Sequence, residues 1–362
     1  MAAVDAKPDA LSRHLPSNAH TAIPLRDDAK SVFRTGTYGD IRVDSNYVTV
    51  INMPSQPNRR EFLKSVLAAG AGISLAEMPL RQARARGKAP IVGTRLNDHL
   101  VVFSGAGANV VAAHAAQSLL LIDGGLPERS RDLLDAVFRE TRTKKVQTLI
   151  NTHWHPEQTG SNERLGGSGV KIIAHENTKR WLEYPQTEPG HDRPYGPLPP
   201  QARPDETTYV KGNLTFAGEQ VDYVHVLQAH TDGDLYVFFR DSNVLVTGGI
   251  VSNEGWPVID YETGGWIGGL VDGLRTLDSV VNDSTRIVPA NGPVMTRAEL
   301  KAQHTMYATI FDRLGKLLRK GLGPDEVLAQ APTKEFDAQY GDPKLFVDLA
   351  FKSLWGHFAP DA

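Results

Sequence analysis

The chain is 362 residues long, 40% hydrophobic and 22% charged, with a net charge of −3. That balance is ordinary for a globular protein and gives no electrostatic reason to expect nucleic acid or an anionic membrane as a partner. There is no cysteine, which excludes disulfides, thiolate ligands and a thiol nucleophile and leaves His, carboxylate and water to hold any zinc.

Residues 1–52 show no apolar periodicity, and their composition predicts a disordered upstream extension. Met53 stands just ahead of Asn58-Arg59-Arg60-Glu61-Phe62-Leu63-Lys64 and a short, weakly apolar stretch at 65–76. An arginine pair before such a stretch resembles a twin-arginine export signal. The resemblance implies translation from Met53 and a signal and cleavage region over 53–88. It also implies the twin-arginine translocation machinery as a partner and a periplasmic location. Small-x-Ala cleavage sites stand at Ser74-Leu75-Ala76 and Ala83-Arg84-Ala85. A membrane-spanning helix needs roughly 20 apolar residues, so no stable span is expected in the mature form. The competing reading is a chance Arg-Arg pair before a core helix.

Residues 90–362 read as one continuous domain. Strands are predicted at 100–103 and 117–123, bounded by glycines. Residues 127–142 have helical periodicity, with Leu133, Leu134, Val137 and Phe138 on one face. A buried strand at 146–150 is followed by helices at 159–165 and 175–182 around a strand at 170–174. The segment 184–204 is rich in Pro and Gly and reads as a long loop, the kind that often covers an active site. Further strands are predicted at 207–210, 214–217, 220–228, 235–240, 244–247 and 286–288. Further helices are predicted at 268–281, 297–320, 324–330 and 344–357. Strands and helices in two similar halves predict an α/β (α+β) sandwich of two mixed sheets with helices outside. Gly105-Ala106-Gly107-Ala108-Asn109 has no following Lys-Ser or Lys-Thr and reads as a turn, not a phosphate loop.

The chemistry concentrates in Asn151-Thr152-His153-Trp154-His155-Pro156-Glu157-Gln158-Thr159-Gly160, just past the strand at 146–150. Residues i and i+2 on an extended segment point the same way, so one ion can take both imidazoles. A third histidine, His230, follows the apolar run at 220–228 within Ala229-His230-Thr231-Asp232-Gly233-Asp234. A lone His would be read as a surface or capping residue. A His-x-His at a strand end with a third strand-end His reads as a metal site. Three imidazoles leave zinc's fourth position for water, giving hydroxide near neutral pH without a protein nucleophile. His114, His175, His191, His225, His304 and His357 fall outside this pattern and read as structural.

These motifs, in this order, resemble the metallo-β-lactamase superfamily. Leu121-Ile122-Asp123-Gly124-Gly125, the His153-Trp154-His155 run, Ala174-His175-Glu176-Asn177-Thr178 and Ala229–Asp234 match successive landmarks. Pro257-Val258-Ile259-Asp260 and Ile287-Val288-Pro289-Ala290-Asn291 complete them. The resemblance implies a four-layer αββα sandwich with a metal site at one edge, between the sheets. It implies a metal role for His153, His155 and His230 and a supporting role for Asp123 behind the metal loops. Glu157, Gln158, Gly249 and Asn291 stand where the family usually holds a second metal. Gly249 has no side chain to offer, and neutral amides are poor zinc ligands.

Two readings follow. In one the chain is a mono-zinc hydrolase, with one Zn2+ per chain and Glu157 orienting the water or shuttling its proton. Its substrate is then a small ester, lactone or amide of β-lactam type, with Tyr223, Thr231, Asp234 or Asn291 near it. In the other the chain is a catalytically degenerate member that binds a ligand or a metal. Trp154, Trp256 and Trp266 are candidates to line the pocket. Leu345, Leu349, Leu354 and Trp355 form an apolar face on the last helix.

Overall fold

The computed structural model describes residues 89–358. The export-signal motif, the Met53 start and both cleavage sites lie outside the described residues. Among the described residues, twelve strands form two sheets. The first runs in the order β1 (Val92–Arg95), β2 (Leu100–Ser104), β3 (Val110–His114), β4 (Leu119–Ile122), β5 (Val146–Ile150), β6 (Lys171–His175) and β7 (Glu206–Thr208). Its first four strands are an antiparallel meander, and β4 to β7 are parallel. The second sheet comprises β8 (Lys211–Phe216), β9 (Glu219–His225), β10 (Leu235–Phe239), β11 (Val244–Val246) and β12 (Arg286–Val288), antiparallel except for the β11–β12 pair.

Burial explains why these runs are strands. Every residue of β4, β10 and β11 is buried, as expected of strands covered on both faces. Between the sheets, Leu100, Val102, Leu120, Ile122 and Ile150 of the first meet Val221, Leu235, Val237, Phe239, Val246 and Val288 of the second. On the outer face of the first sheet lies α1 (Ser130–Thr141), burying Leu133, Leu134 and Val137. The second sheet is covered by α5 (Ile267–Val280), α6 (Arg297–Arg319) and α9 (Lys344–Phe358), with Leu270, Leu274, Ile310, Phe346 and Phe351 in one cluster. The layers are therefore helix, sheet, sheet, helix, the αββα arrangement that the motifs imply. Among the described residues, no helix is long and apolar enough to cross a membrane.

Some boundaries differ from those the sequence predicts. The helix predicted at 159–165 is two short helices, α2 (Pro156–Thr159) and α3 (Asn162–Gly166). Pro156 at the first turn starts the helix earlier. Between them Gly160 packs tightly against the Gly125–Pro127 segment, where a Cβ would stand 2.3 Å from both Gly125 O and Pro127 N. The strand predicted at 220–228 ends at His225, and Gln228 turns away with φ 49°. The helix predicted at 324–330 is α7 (Pro324–Ala329). The structure also holds β1, β3 and a short α8 (Asp337–Tyr340), which have no clear local signal. Two alanines weaken β3 as a local strand former, and its partners on both sides supply what propensity does not.

Phe239 is 1% exposed in the inter-sheet core. Replacing Phe239 by Ala should cost about 3–5 kcal/mol, read as a fall in the midpoint of denaturant unfolding.

Candidate metal centre

The site collects at the carboxyl ends of parallel strands and the loops beside them, where open α/β sheets usually place ligands. Asp123 follows β4, and the His153–His155 run follows β5. His230 sits in the loop between β9 and β10, and Asp260 in the loop between β11 and α5. The three imidazoles meet: His230 Nε2 is 3.0 Å from His153 Nε2 and 3.1 Å from His155 Nδ1. All three residues are buried.

The outer ring nitrogens assign the tautomers. His230 Nδ1 faces the Val258 carbonyl at 2.7 Å and must donate to it. His155 Nε2 faces Asp260 Oδ2 at 3.0 Å. His153 Nδ1 is 3.1 Å from Thr152 Oγ1, whose own proton goes to Asp123 Oδ2 at 2.9 Å. With protons on the outer nitrogens, all three inner nitrogens present lone pairs to one another. Burial lowers His153 and His155 well below the usual imidazole range and lowers His230 as well, so protonation does not relieve the contact. A cation does. Nitrogens about 2.0–2.1 Å from a tetrahedral ion stand about 3.3 Å apart, close to the spacing found. The donor set therefore fits a metal ion.

The supports behind the ligands are themselves buried. Asp123, at φ 66°, occupies the left-handed region that Asp tolerates better than most residues. It accepts Thr152 N at 2.8 Å and the Thr152 hydroxyl. Burial pushes its carboxyl up to about 8, against those hydrogen bonds. Asp234 accepts His230 N at 2.6 Å, Thr231 N at 2.9 Å and the Thr231 hydroxyl at 2.8 Å, fixing the His230 loop. Asp260 also accepts the Thr263 hydroxyl, which in turn accepts Trp154 Nε1 at 3.1 Å. Trp154 is fully buried, its ring edge-on to His155 at 4.5 Å. Neither Asp260, the Val258 carbonyl nor Thr152 is signalled as a site residue by spacing. Asp260 is 105 positions from His155, and only the fold joins them.

The four positions that resemble the family's second metal site fare differently. Glu157 Oε1 stands 3.9 Å from His155 Nδ1. Gln158 is buried, and its Oε1 has no hydrogen-bond partner. Asn291 places its amide NH2 toward the Gly107 carbonyl at 3.1 Å. At Gly249 a Cβ would stand 2.1 Å from His230 Cδ2 and 2.5 Å from its Nε2. The glycine is therefore a requirement of this His230 position, and no side chain can be carried there while the ring stays in place. A carboxylate that sequence reasoning did not single out, Glu188, enters from the loop between α4 (Glu176–Trp181) and β7, with Oε1 3.7 Å from His155 Nδ1.

Other candidates lie elsewhere. Tyr223 packs in the inter-sheet core, and its hydroxyl donates to Glu206 at 3.1 Å. Trp256 stacks on Phe346 and Trp266 on His357, both against α9. His175 caps α4 and stacks on His225 at 3.9 Å. His191, read as structural from the sequence, lies 3.6 Å from Glu188 Oε2. Of the apolar face on α9, Leu349 and Leu354 are buried while Leu345 and Trp355 are exposed.

Two substitutions test this construction. Asp260→Asn should weaken metal affinity about 10–100-fold with the imidazole ligands untouched, measured by competition with a chromophoric chelator. Gly249→Ala should push the His230 ring aside, lowering metal affinity and costing about 1–3 kcal/mol of stability through overpacking. Wild-type affinity in Gly249→Ala would contradict the steric argument.

Comparison with known proteins agrees with this geometry. The family model described as the metallo-beta-lactamase superfamily matches residues 105–291. No curated protein matches the chain. Among solved structures, a metallo-beta-lactamase from Pontibacter korlensis is 16% identical over 60% of this chain and 99% of that one, with a TM-score of 0.49. A stereoselective inverting sec-alkylsulfatase from Pseudomonas sp. is 15% identical over 75% of this chain and 51% of that one, with a TM-score of 0.57. The sulfatase likeness is one of fold. The family match spans more than half of the chain and contains all three converging histidines. The chain belongs to the metallo-β-lactamase superfamily.

Proposed function

We propose that this protein is a zinc-dependent hydrolase of a small ester, lactone or amide, holding one zinc tightly through His153, His155 and His230. The observation that carries the reading is the meeting of three imidazole lone pairs at 3.0–3.1 Å, with every outer ring nitrogen already engaged. A bound zinc would lower the pKa of a coordinated water to roughly 7 and polarise the substrate's carbonyl.

The chain's own residues then supply positioning and proton handling. Asp123, Asp260 and the Val258 carbonyl hold the imidazoles in one tautomer each. Glu157 faces the inner side of His155 and accepts the proton of the attacking water, later returning it to the leaving group. Burial, and then repulsion from Glu188, raise the Glu157 carboxyl well above the usual range, which suits a group that both takes and gives a proton near neutral pH. The buried Trp154 keeps water from the back of the His155 ring.

The proposal extends to the cell. The arginine pair at Arg59-Arg60 supports export of residues 90–362 as a folded, metal-loaded protein to the periplasm, with residues 53–88 serving as the signal and cleavage region. The competing reading, a degenerate member that binds a ligand or metal without turnover, draws on Gly249, which has no side chain, and Asn291, whose neutral amide is a poor zinc ligand.

Replacement of His153 by Ala should reduce zinc content to a small fraction of one per chain and abolish hydrolysis across a panel of ester, lactone and β-lactam substrates. Chelator should do the same to the wild type, with zinc restoring it. Hydrolysis that survives both treatments would end the metallohydrolase reading. Full zinc content with no turnover on any substrate would favour the binding protein.

A further inference from the structure

The landmark Ala174-His175-Glu176-Asn177-Thr178 has no task in the hydrolase reading, yet the fold carries it to the back of the metal centre. His175 ends β6, and Asn177, Thr178 and Trp181 lie on α4. Trp181 stands four residues from Asn177 and three from Thr178, so the three side chains share one helix face. All three reach the turn that follows His230. Asn177 Nδ2 donates to the Asp232 carbonyl at 3.1 Å, the Thr178 hydroxyl to the Gly233 carbonyl at 3.1 Å and Trp181 Nε1 to Asp232 Oδ1 at 2.7 Å. The contact is close, for a Cβ at Gly233 would stand 2.5 Å from Thr178 Oγ1.

The start of α4 is itself held. His175 Nε2 faces the Tyr209 carbonyl at 3.2 Å and must donate to it, which leaves Nδ1 to accept the Asn177 N–H at 3.2 Å. The ring stacks on His225 at 3.9 Å, and His225 Nε2 donates to the same Asp232 carbonyl at 3.0 Å. Asp232 is therefore a knot. Its carbonyl takes two donors, its carboxylate takes the indole, and its own N–H goes to the Thr263 carbonyl at 2.8 Å. The Thr263 hydroxyl donates to Asp260, which faces His155 Nε2. Two ligands are thus reached by separate routes: His230 two residues back along the chain, and His155 through Thr263 and Asp260. The Asp232 carboxylate is turned to the indole and is not one of the groups that converge with the three histidines.

We propose that Trp181 and Asp232 are positioning residues of the metal centre. The indole holds the Asp232 side chain, and Asp232 holds the His230 turn against the Asp260 turn, so that the imidazoles of His230 and His155 keep their mutual angle. An indole N–H can only donate, and a buried polar group that loses its partner is destabilised, so neither member of the pair is free to turn away. Resting on the metal reading of the three histidines, this clamp adds to it a third element, α4, which supplies no ligand and sets how rigidly two ligands are presented.

The test is zinc affinity of the metal-stripped full chain, by competition with a chromophoric chelator, together with the visible spectrum of the cobalt-loaded protein. Trp181→Phe keeps an aromatic ring and removes the N–H. It should weaken zinc about 10-fold, the lower end for partners that support metal ligands, and alter the cobalt bands. Asp232→Asn keeps an oxygen for the indole and should bind zinc as the wild type does. Asp232→Ala should weaken zinc at least as much as Trp181→Phe, and adding Trp181→Phe to it should cost nothing further. Additive losses in the double variant overturn the clamp. So does Trp181→Phe with wild-type affinity and cobalt spectrum, whatever its melting temperature, and the three-histidine centre then stands without it. No tight zinc in the wild type overturns both.

Discussion

The buried meeting of three neutral imidazoles is the constraint on which the rest of this site depends. Lone pairs held 3.0–3.1 Å apart repel, and burial denies them the relief of protonation. The arrangement persists because each ring is held from behind. A carbonyl, a carboxylate and a hydroxyl each take one outer N–H, and each such partner is itself tied down. The cost is local and the compensation is spread over Asp123, Asp234, Asp260 and Thr263. Sites of this kind trade stability for a fixed electrostatic task.

The two-sheet architecture makes that holding possible. The parallel strands β4 and β5 end side by side, so Asp123 and Thr152 meet at once, and the same edge receives the His230 loop from the second sheet. The Asp260 loop closes from above α5, its amide donating to the His230 carbonyl at 3.0 Å. Residues far apart in sequence thus reach a common point because hydrophobic burial between the sheets holds the layers together.

The positions that resemble the family's second metal site and the carboxylates beside His155 are parts of one pattern. The Gly249 backbone lies so close to the His230 ring that a side chain there and this ring position exclude each other. The carboxylate charge instead comes from Glu157 and from Glu188 on the loop tied to α2. Acidic groups crowd one side of the centre, where burial, with repulsion from Glu188 on Glu157 and from Asp260 on Glu188, holds both above the usual carboxylate range. Such a surface favours cations and positively polarised groups over anionic ones.

Much of the fold was legible in the chain because strands and helices leave periodic, local signals. Val146–Ile150 and Arg286–Val288 coincide with the apolar runs that predict them, and Leu133, Leu134 and Val137 do mark the buried face of a helix. β3 was not legible, since Val-Val-Ala-Ala-His is a strand only between two partners. The three histidines were legible because residues i and i+2 on an extended segment share a direction and a third stood at another strand end. By itself the sequence determined the layers and the candidate ligand set, through burial periodicity and side-chain chemistry. Only the tertiary structure decided that Asp260 backs His155, that Gly249 must be bare and that Glu188 enters the site, because those contacts join segments no local rule connects.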